Sequence, residues 1–132
     1  MSKERLVWII DDDWAFQIIA LNNLSKVGVS IQSRVFENGK EAADALLSSL
    51  QSNAMQNIPD AILLDINMPL YDGWYFLHRL KAIKSDFTFS TRVYLCSSTI
   101  DPSDLSQASE NDLISMFLEK PVSVSTLSSI LL

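Results

Sequence analysis

Two kinds of apolar pattern alternate along this chain. Short apolar runs, each ending at polar residues, are separated by stretches in which apolar residues recur every three or four positions. The first pattern is typical of strands in a sheet and the second of amphipathic helices. Because strands and helices alternate, the sequence predicts an α/β fold in which helices cover both faces of a parallel, doubly wound sheet. The five predicted strands occupy positions 6–10, 29–36, 62–65, 92–96 and 113–118.

Several of the predicted helices carry recognisable start or stop signals. Gly28 follows the apolar positions of the first helix and is a natural C-terminal stop. Asn38, with Glu41 three residues later, resembles a capping box that opens the second helix. Asp101, followed by Pro102, supplies an N-cap and a proline at the first helical position. The other helices are expected at 73–84 and from 123 to the end of the chain, and 51–58 is a polar connection.

Composition limits the classes of protein to which this chain can belong. The chain has 132 residues, of which 48% are hydrophobic, enough for the core of one domain spanning 1–132. No apolar run approaches the ~20 residues that cross a bilayer, and no signal-peptide pattern opens the sequence. A single cysteine, Cys96, excludes an internal disulfide and suits a reducing compartment, so a cytosolic protein is expected.

The charge pattern bears on partners. The net charge is −6, from 16 acidic and 10 basic residues, and the basic residues are scattered. A nucleic-acid surface needs clustered basic side chains that follow a phosphate backbone. Direct nucleic-acid binding and membrane binding are therefore not expected.

Polar side chains follow four of the predicted strands. Asp11 and Asp12 come after the first strand, Asp65 ends the third, Ser97 follows the fourth and Lys120 the fifth. The carboxyl ends of parallel strands open at one edge of the sheet, where such folds bind ligands. Crowded carboxylates repel one another unless a cation lies among them, and oxygen ligands favour Mg²⁺. A lysine and a hydroxyl beside them suit a phosphoryl group, so the sequence predicts phosphoryl transfer at a carboxylate.

Four short motifs in this order resemble a known family. They are IIDDD at 9–13, LLDINMPLYDG at 63–73, LCSS at 95–98 and EKP at 119–121. Together they make the chain similar to the receiver domains of two-component response regulators, of the chemotaxis type with a single domain. The resemblance covers positions 6 to about 129 and implies a flavodoxin-like (βα)₅ fold.

The resemblance implies a role for each acidic position. Asp65 matches the phosphoacceptor and also a metal ligand. Asp12 matches the acid that binds Mg²⁺ directly, and Asp11 the acid that binds it largely through water. The backbone carbonyl of Asn67 corresponds to a further ligand of the metal.

It also implies roles for three residues near the later strands. Ser97 matches the hydroxyl that holds a phosphoryl oxygen, and Lys120 matches the lysine that neutralises the phosphoryl group. The peptide bond between Lys120 and Pro121 lies where the family has a cis bond. Phe117 occupies the position of an aromatic switch residue.

The function implied is that of a phosphorylated switch. A histidine kinase or a histidine phosphotransfer protein would phosphorylate Asp65 in the presence of Mg²⁺. The chain would catalyse its own phosphorylation and slow dephosphorylation, so it is not expected to be a turnover enzyme. The signal would leave through a protein contact with an unknown target at helix four, strand five and helix five. The family also allows a phosphorylation-dependent dimer.

Two features depart from the family pattern. Asp12 and Asp65 lie 53 positions apart, which is longer than expected, and the connection at 51–58 accounts for the excess. The last helix is short.

Two other functions compete with this interpretation. Asp11 and Asp13, with Ser97 and Lys120, imitate the motifs of a Mg²⁺-dependent phosphatase of the haloacid-dehalogenase kind. Against it, the chain has no late acid pair and no room for a cap domain, and Asp65 would have no role. The second alternative is a pseudo-receiver that is never phosphorylated, which the complete set of acids disfavours.

Other residues have simpler interpretations. Asp13 is expected to cap the first helix rather than bind metal. Trp8 and Tyr94 are expected in the core, and Cys96 as a small apolar filler. His78, the only histidine, falls within a predicted helix and is not expected to be catalytic.

Overall fold

The computed structural model describes residues 4–99 and 101–132, and the predicted alternation of strands and helices is confirmed. The strands are β1 (Arg5–Ile10), β2 (Ile31–Phe36), β3 (Ala61–Asp65), β4 (Arg92–Ser97) and β5 (Ile114–Glu119). The helices are α1 (Trp14–Leu24), α2 (Gly39–Gln51), α3 (Gly73–Asp86), α4 (Pro102–Ser109) and α5 (Val124–Leu131). Within this part of the chain, no helix is both long and apolar enough to cross a membrane.

The five strands form one parallel sheet in the order β2-β1-β3-β4-β5. The chain moves outward from β1 to β2 and then crosses to β3 on the other side of β1. Ligands in such sheets bind where the strand order reverses, outside the carboxyl ends of the strands. That point lies between β1, which is followed by Asp11, and β3, which ends in Asp65.

Each face of the sheet builds its own apolar core, because successive side chains of a strand point to opposite faces. Trp8 and Ile62 belong to a cluster with α2 and α3, whereas Val7 and Leu63 belong to a cluster with α1 and α5. Every residue of β3 is buried, as expected for the central strand. Trp8, Tyr94 and Cys96 are core residues, as predicted.

The predicted caps begin their helices. Asn38 Oδ1 accepts a hydrogen bond from the Glu41 amide at 2.9 Å, and Asp101 Oδ1 accepts one from the Ser103 amide at 2.9 Å. Asp13 accepts a hydrogen bond from the Ala15 amide at 2.9 Å, so its predicted role as an N-cap is confirmed.

Several element boundaries differ from the prediction by one or two residues, and one element was not predicted. The first helix ends at Leu24, and turn hydrogen bonds carry the chain to Gly28, whose φ of 90° stops it. The second strand begins at Ile31 rather than at position 29. The polar connection at 51–58 contains a 3₁₀ turn, Met55–Asn57, that the sequence did not predict. Polar residues without apolar periodicity give no signal for so short a helix.

Candidate functional site

Three carboxylates meet at the carboxyl ends of β1 and β3. Asp11, Asp12 and Asp65 each offer an oxygen atom, and these atoms lie within 4.8 Å of one another. Adjacent strands in register bring them together, since Ile10 of β1 pairs with Leu64 of β3. Asp11 and Asp65 are buried and Asp12 is exposed, so the cluster is fixed on one side and open to solvent on the other. An oxygen-only site with an open side is suited to Mg²⁺, which keeps several of its water ligands.

Asp11 is the most constrained member of the cluster. Its side chain is fully buried; Oδ2 accepts a hydrogen bond from Lys120 Nζ at 2.6 Å, and Oδ1 accepts one from the Asp13 amide at 2.9 Å. Its backbone carbonyl accepts a hydrogen bond from Gln17 Nε2 at 2.6 Å. Burial raises the pKa of Asp11, and the bond from Lys120 opposes that rise. Both carboxylate oxygens of Asp11 are therefore engaged.

Asp65, the predicted phosphoacceptor, ends β3. Burial, followed by the negative charge of Asp11, raises its pKa to about 6, although Lys120 Nζ lies 3.3 Å from its Oδ1. The backbone amide of Asn67, near the Asp65 carboxylate, also lowers this pKa, but by less than burial raises it. A carboxylate attacks phosphorus only in its ionised form. A cation beside Asp65 would favour that form.

Lys120 joins both buried carboxylates. Burial disfavours its ammonium group, but the hydrogen bond and charge of Asp11, with the charge of Asp65, outweigh burial and raise the pKa of Lys120. The Lys120 amide donates a hydrogen bond to the Ser97 carbonyl at 2.9 Å, which ties the end of β5 to the end of β4. The bond between Lys120 and Pro121 is cis, as expected.

Phe16 is a site residue that the sequence did not single out. Lys120 Nζ lies 4.4 Å from the centre of the Phe16 ring, within the range of a cation–π contact. Phe16 occupies one of the apolar positions of α1, which predicts only burial. The contact arises because the Lys120 side chain reaches from the end of β5 to Asp11, three residues before α1 begins. Spacing within one helix carries no signal for such a contact.

The loop between β3 and α3 is held close to Asp65. The Gly73 amide donates a hydrogen bond to the Ile66 carbonyl at 3.0 Å, and the Gly39 amide donates one to the Tyr71 carbonyl at 2.7 Å. A Cβ atom at Gly73 would overlap the Asp65 carbonyl oxygen. Within this loop Leu70 has a φ of 66° and a side chain that is 93% exposed. The loop positions Asn67, the other predicted ligand, two residues beyond Asp65.

Ser97, the predicted phosphoryl-binding hydroxyl, is buried at the end of β4. Its Oγ donates a hydrogen bond to the Thr99 carbonyl at 2.5 Å and receives one from the Thr99 amide at 3.3 Å. Contacting a phosphoryl group would require Ser97 to exchange these local bonds. Phe117, in β5, is half-buried and packs against the core cluster that contains α2 and α3.

Two other reactive residue types lie outside this site. His78 is exposed on α3. Cys96 is buried, and burial raises the pKa of its thiol to about 12, so the thiolate is disfavoured. Cys96 therefore lacks the environment of a nucleophile at neutral pH.

The chain is similar to proteins of one family. A family model described as the response regulator receiver domain matches residues 7–132. The DNA-binding transcriptional regulator NtrC of Escherichia coli is 34% identical over 79 residues, which are 60% of this chain and 15% of that protein. The chain thus corresponds to a small part of that relative's length.

Solved structures show the same fold. The receiver domain of the histidine kinase CKI1 from Arabidopsis thaliana, complexed with Mg²⁺, has a TM-score of 0.80 at 22% identity, with 96% of this chain and 88% of that chain covered. The phosphorylated cyanobacterial phytochrome response regulator RcpA has a TM-score of 0.72 at 26% identity, with 97% and 89% covered. Since the family match extends over nearly the whole chain and the fold carries an acidic cluster at the strand ends, this chain belongs to the response regulator receiver domains of two-component signalling.

Proposed function

We propose that this receiver accepts a phosphoryl group on Asp65 from a histidine kinase or a histidine phosphotransfer protein. The observation that carries the proposal is that Lys120 and two further carboxylates converge on Asp65, a buried carboxylate at the switch point of the sheet. A carboxylate in that position has a cation on one side and a potential metal site on the other. Both features are what phosphoryl transfer requires.

The chemistry assigns each side chain a task. An Asp65 oxygen attacks phosphorus, a P–O bond forms, and the P–N bond to the donor imidazole breaks. Lys120 neutralises phosphoryl charge, and Ser97 donates a hydrogen bond to a phosphoryl oxygen. Mg²⁺, held directly by Asp12, Asp65 and the Asn67 carbonyl and largely through water by Asp11, would supply further charge neutralisation. Water later hydrolyses the acyl phosphate, so the chain is a switch that catalyses only its own modification.

Incubation with acetyl phosphate and Mg²⁺ tests the acceptor. We expect mass spectrometry of the protein to locate one phosphoryl group at Asp65, and the Asp65→Asn variant to remain unmodified. Phosphorylation of the variant at another acid would contradict the assignment, and no modification of the wild type would favour a pseudo-receiver. A phosphatase of the haloacid-dehalogenase kind would need Asp11 as its nucleophile, but Asp11 is fully buried with both oxygens engaged.

A melting experiment tests the metal separately. A cation that binds only the folded state stabilises it by mass action, and here it also reduces repulsion among carboxylates. We expect millimolar Mg²⁺ to raise the melting temperature of the wild type and to have much less effect on Asp12→Ala. An unchanged wild-type melting curve would contradict the metal site.

One surface suits the phosphodonor. Trp14, Ile18 and Leu21 recur about once per turn along α1, with side chains that are 72%, 44% and 38% exposed. This apolar strip begins two residues after Asp12, so it continues directly from the acidic cluster. Large apolar side chains aligned at this spacing suit an apolar helix face on a partner.

A second surface suits the downstream target. Leu105 of α4 and Met116 of β5 are large apolar residues that remain exposed on the side of the sheet that ends in β5. We assign the output contact to this side, where α4, β5 and α5 lie. The same surface would serve a second copy of the chain in a phosphorylation-dependent dimer.

A further inference from the structure

Lys120 has a third neighbour besides the two buried carboxylates. Its Nζ donates a hydrogen bond to Asp11 Oδ2 at 2.6 Å and lies 3.3 Å from Asp65 Oδ1. The same atom lies over the ring of Phe16, 4.4 Å from the ring centre. The negative face of an aromatic ring attracts a cation at distances up to about 6 Å, and the attraction grows where water is excluded. Both partners are shielded here, since Phe16 is 4% exposed and the Lys120 side chain 12% exposed.

The backbone that carries Phe16 is fixed to the segment that follows β1. The Asp13 side chain caps α1 by accepting hydrogen bonds from the amides of Ala15 at 2.9 Å and Phe16 at 3.4 Å. One residue later, Gln17 Nε2 donates a hydrogen bond to the Asp11 backbone carbonyl at 2.6 Å. The first turn of α1 therefore sets the position of the ring relative to the acidic cluster.

The segment that carries Lys120 is tied to the same helix. Asn23, in the last turn of α1, donates a hydrogen bond from Nδ2 to the Val122 carbonyl at 2.9 Å, two residues after Lys120. Phe16 and Val122 both belong to the core cluster on this face of the sheet. The helix and the lysine segment are therefore joined at two points, once through the ring and once through Asn23.

A neutral aromatic face suits this position better than a further charged partner. Asp11 and Asp65 already place two carboxylates around one lysine, and another acid would add repulsion. A hydrogen-bonding side chain would hold the ammonium in one direction, whereas the attraction of a ring face changes gradually as a cation moves across it. In the proposed reaction, Lys120 has to neutralise charge that arrives on Asp65, although its hydrogen bond is to Asp11. The ring can keep its contact with the ammonium as the ammonium shifts from one carboxylate toward the other.

We infer that Phe16 is a positioning residue for Lys120, which it holds between Asp11 and the phosphoryl group on Asp65. This inference rests on the proposed phosphorylation of Asp65. Phe16 acts through the lysine and takes no part in making or breaking bonds. The electrostatic face of the ring, and not only its apolar volume, then affects the rate of phosphorylation. A residue that only filled the core would lack this dependence.

Fluorinated phenylalanines at position 16 test the electrostatic role. Each added fluorine withdraws electron density from the ring face and weakens its attraction for a cation, while the ring keeps nearly the same shape. We expect the rate constant for modification by acetyl phosphate with Mg²⁺ to fall stepwise from phenylalanine through its monofluoro, difluoro and trifluoro derivatives. The expected loss over the series is about twofold to tenfold. A rate that stays constant across this series would overturn the inference.

The same series at Phe76 is the matched control. Phe76 is a fully buried ring of α3 that contacts no cation among the described residues. Its fluorination should leave the phosphorylation rate unchanged. An equal fall in both series would overturn the inference, because fluorine would then act through packing.

An NMR measurement tests the contact without phosphorylation. The ring current of an aromatic ring shifts protons over its face upfield, so we expect upfield Hε signals for Lys120 in the wild type. Phe16→Leu, which keeps an apolar side chain without a ring, should return these signals toward ordinary lysine values and slow phosphorylation by about twofold to tenfold. Lys120 signals that Phe16→Leu leaves unchanged would overturn the inference, whether or not the wild type is phosphorylated. If the ring-current shift is present but acetyl phosphate leaves Asp65 unmodified, the failure lies with the proposed function and not with the position of Lys120.

Discussion

Burial of Asp65 has a cost that depends on pH. With its pKa raised to about 6 from the ordinary 3.8, the folded state holds this proton more tightly than the unfolded chain does. As the pH rises from about 4 to about 6, the unfolded chain releases the proton first, and the free energy of unfolding therefore falls. Above about pH 6 the carboxylate is ionised in both the folded and the unfolded state, so the free energy of unfolding falls no further from this group. The raised pKa of Asp11 acts in the same direction.

The Asp65→Asn substitution should remove part of this pH dependence. In metal-free buffer at pH 7.5 we expect the variant to be more stable than the wild type by on the order of 1–3 kcal/mol, since about two pKa units separate the two states. Its stability should fall less between about pH 4 and 6 than that of the wild type. Urea unfolding at a series of pH values measures both effects. Glu119→Gln, at an exposed carboxyl that ends β5, should keep the wild-type slope, and equal slopes for all three proteins would contradict the prediction.

The sequence predicted the identity of the site residues better than their contacts. Asp11, Asp65 and Lys120 each follow an apolar run, so strand ends alone were enough to bring them together. Phe16 was not predicted as a neighbour of Lys120, because the contact depends on how the Lys120 side chain crosses the strand ends to reach Asp11. The bonds between Ser97 and Thr99 were not predicted either, since they depend on the path of one loop.

At the scale of elements, the loop after β3 depends on close backbone contacts. Gly73 begins α3, and its Cα lies against the backbone of Asp65 and Ile66. Gly39 begins α2, and a Cβ atom there would lie 2.7 Å from the Asp72 carbonyl oxygen. Two helix starts therefore pack directly against the loop that positions Asp65 and Asn67. A side chain at either glycine would therefore push the loop away from the start of the helix.

Gly73→Ala should impair both stability and phosphorylation. The new Cβ would overlap the Asp65 carbonyl oxygen and lie 3.0 Å from the Ile66 Cα, so the loop must shift. We expect a loss on the order of 2 kcal/mol in the free energy of unfolding and slower modification by acetyl phosphate. Gly28→Ala is the matched control. Its φ of 90° strains an alanine by about 1 kcal/mol, but nothing lies within 4 Å of the new Cβ, so the phosphorylation rate should not change. Equal phosphorylation by both variants would contradict this role of Gly73.

Ile18→Ala tests whether α1 receives the phosphodonor. Ile18 lies on the apolar strip with Trp14 and Leu21, whereas Ile19, which is 43% exposed, lies about 100° further around the helix. We expect Ile18→Ala to slow transfer from a phosphorylated histidine kinase by about tenfold, the scale of a contact at the centre of an interface. The rate with acetyl phosphate should not change. Ile19→Ala serves as the control, and equal slowing by both variants would argue against a specific contact by the strip.

The sequence predicted long helices better than short ones, for a physical reason. Helices with caps and apolar periodicity were placed within a few residues, since both signals are local. The 3₁₀ turn Met55–Asn57 was missed, because three residues are too few to show a helical period and no side chain caps the turn.

At the scale of the whole molecule, the proposed switch would carry a change from Asp65 to the side of the sheet that ends in β5. Ser97 is placed to do so, because its carbonyl oxygen accepts the Lys120 amide hydrogen bond while its hydroxyl bonds to Thr99 in the loop before α4. Phe117 lies three residues before Lys120 in β5 and is half-buried. A change at Ser97 can therefore reach α4 through its loop and β5 through Lys120.

Ser97→Ala should separate phosphorylation from the response of the output side. A phosphoryl group on Asp65 offers acceptor oxygens that compete with the Thr99 carbonyl for the Ser97 hydroxyl. Once Ser97 turns inward, the Phe117 ring can occupy the space behind it, and its burial is favoured by apolar area because phenylalanine has no hydroxyl to desolvate. The phosphoryl group can shift this equilibrium only through contacts that differ between the two states.

In the Ser97→Ala variant, which lacks the hydroxyl, we expect acetyl phosphate still to modify Asp65. The amide chemical-shift changes on adding beryllofluoride should, however, be reduced at α4 and around Phe117. Ser98→Ala, at the exposed neighbouring position, should show the wild-type shifts. If Ser97→Ala gave those same shifts around Phe117, the coupling would have to run through another group, and Lys120 would be the next to test.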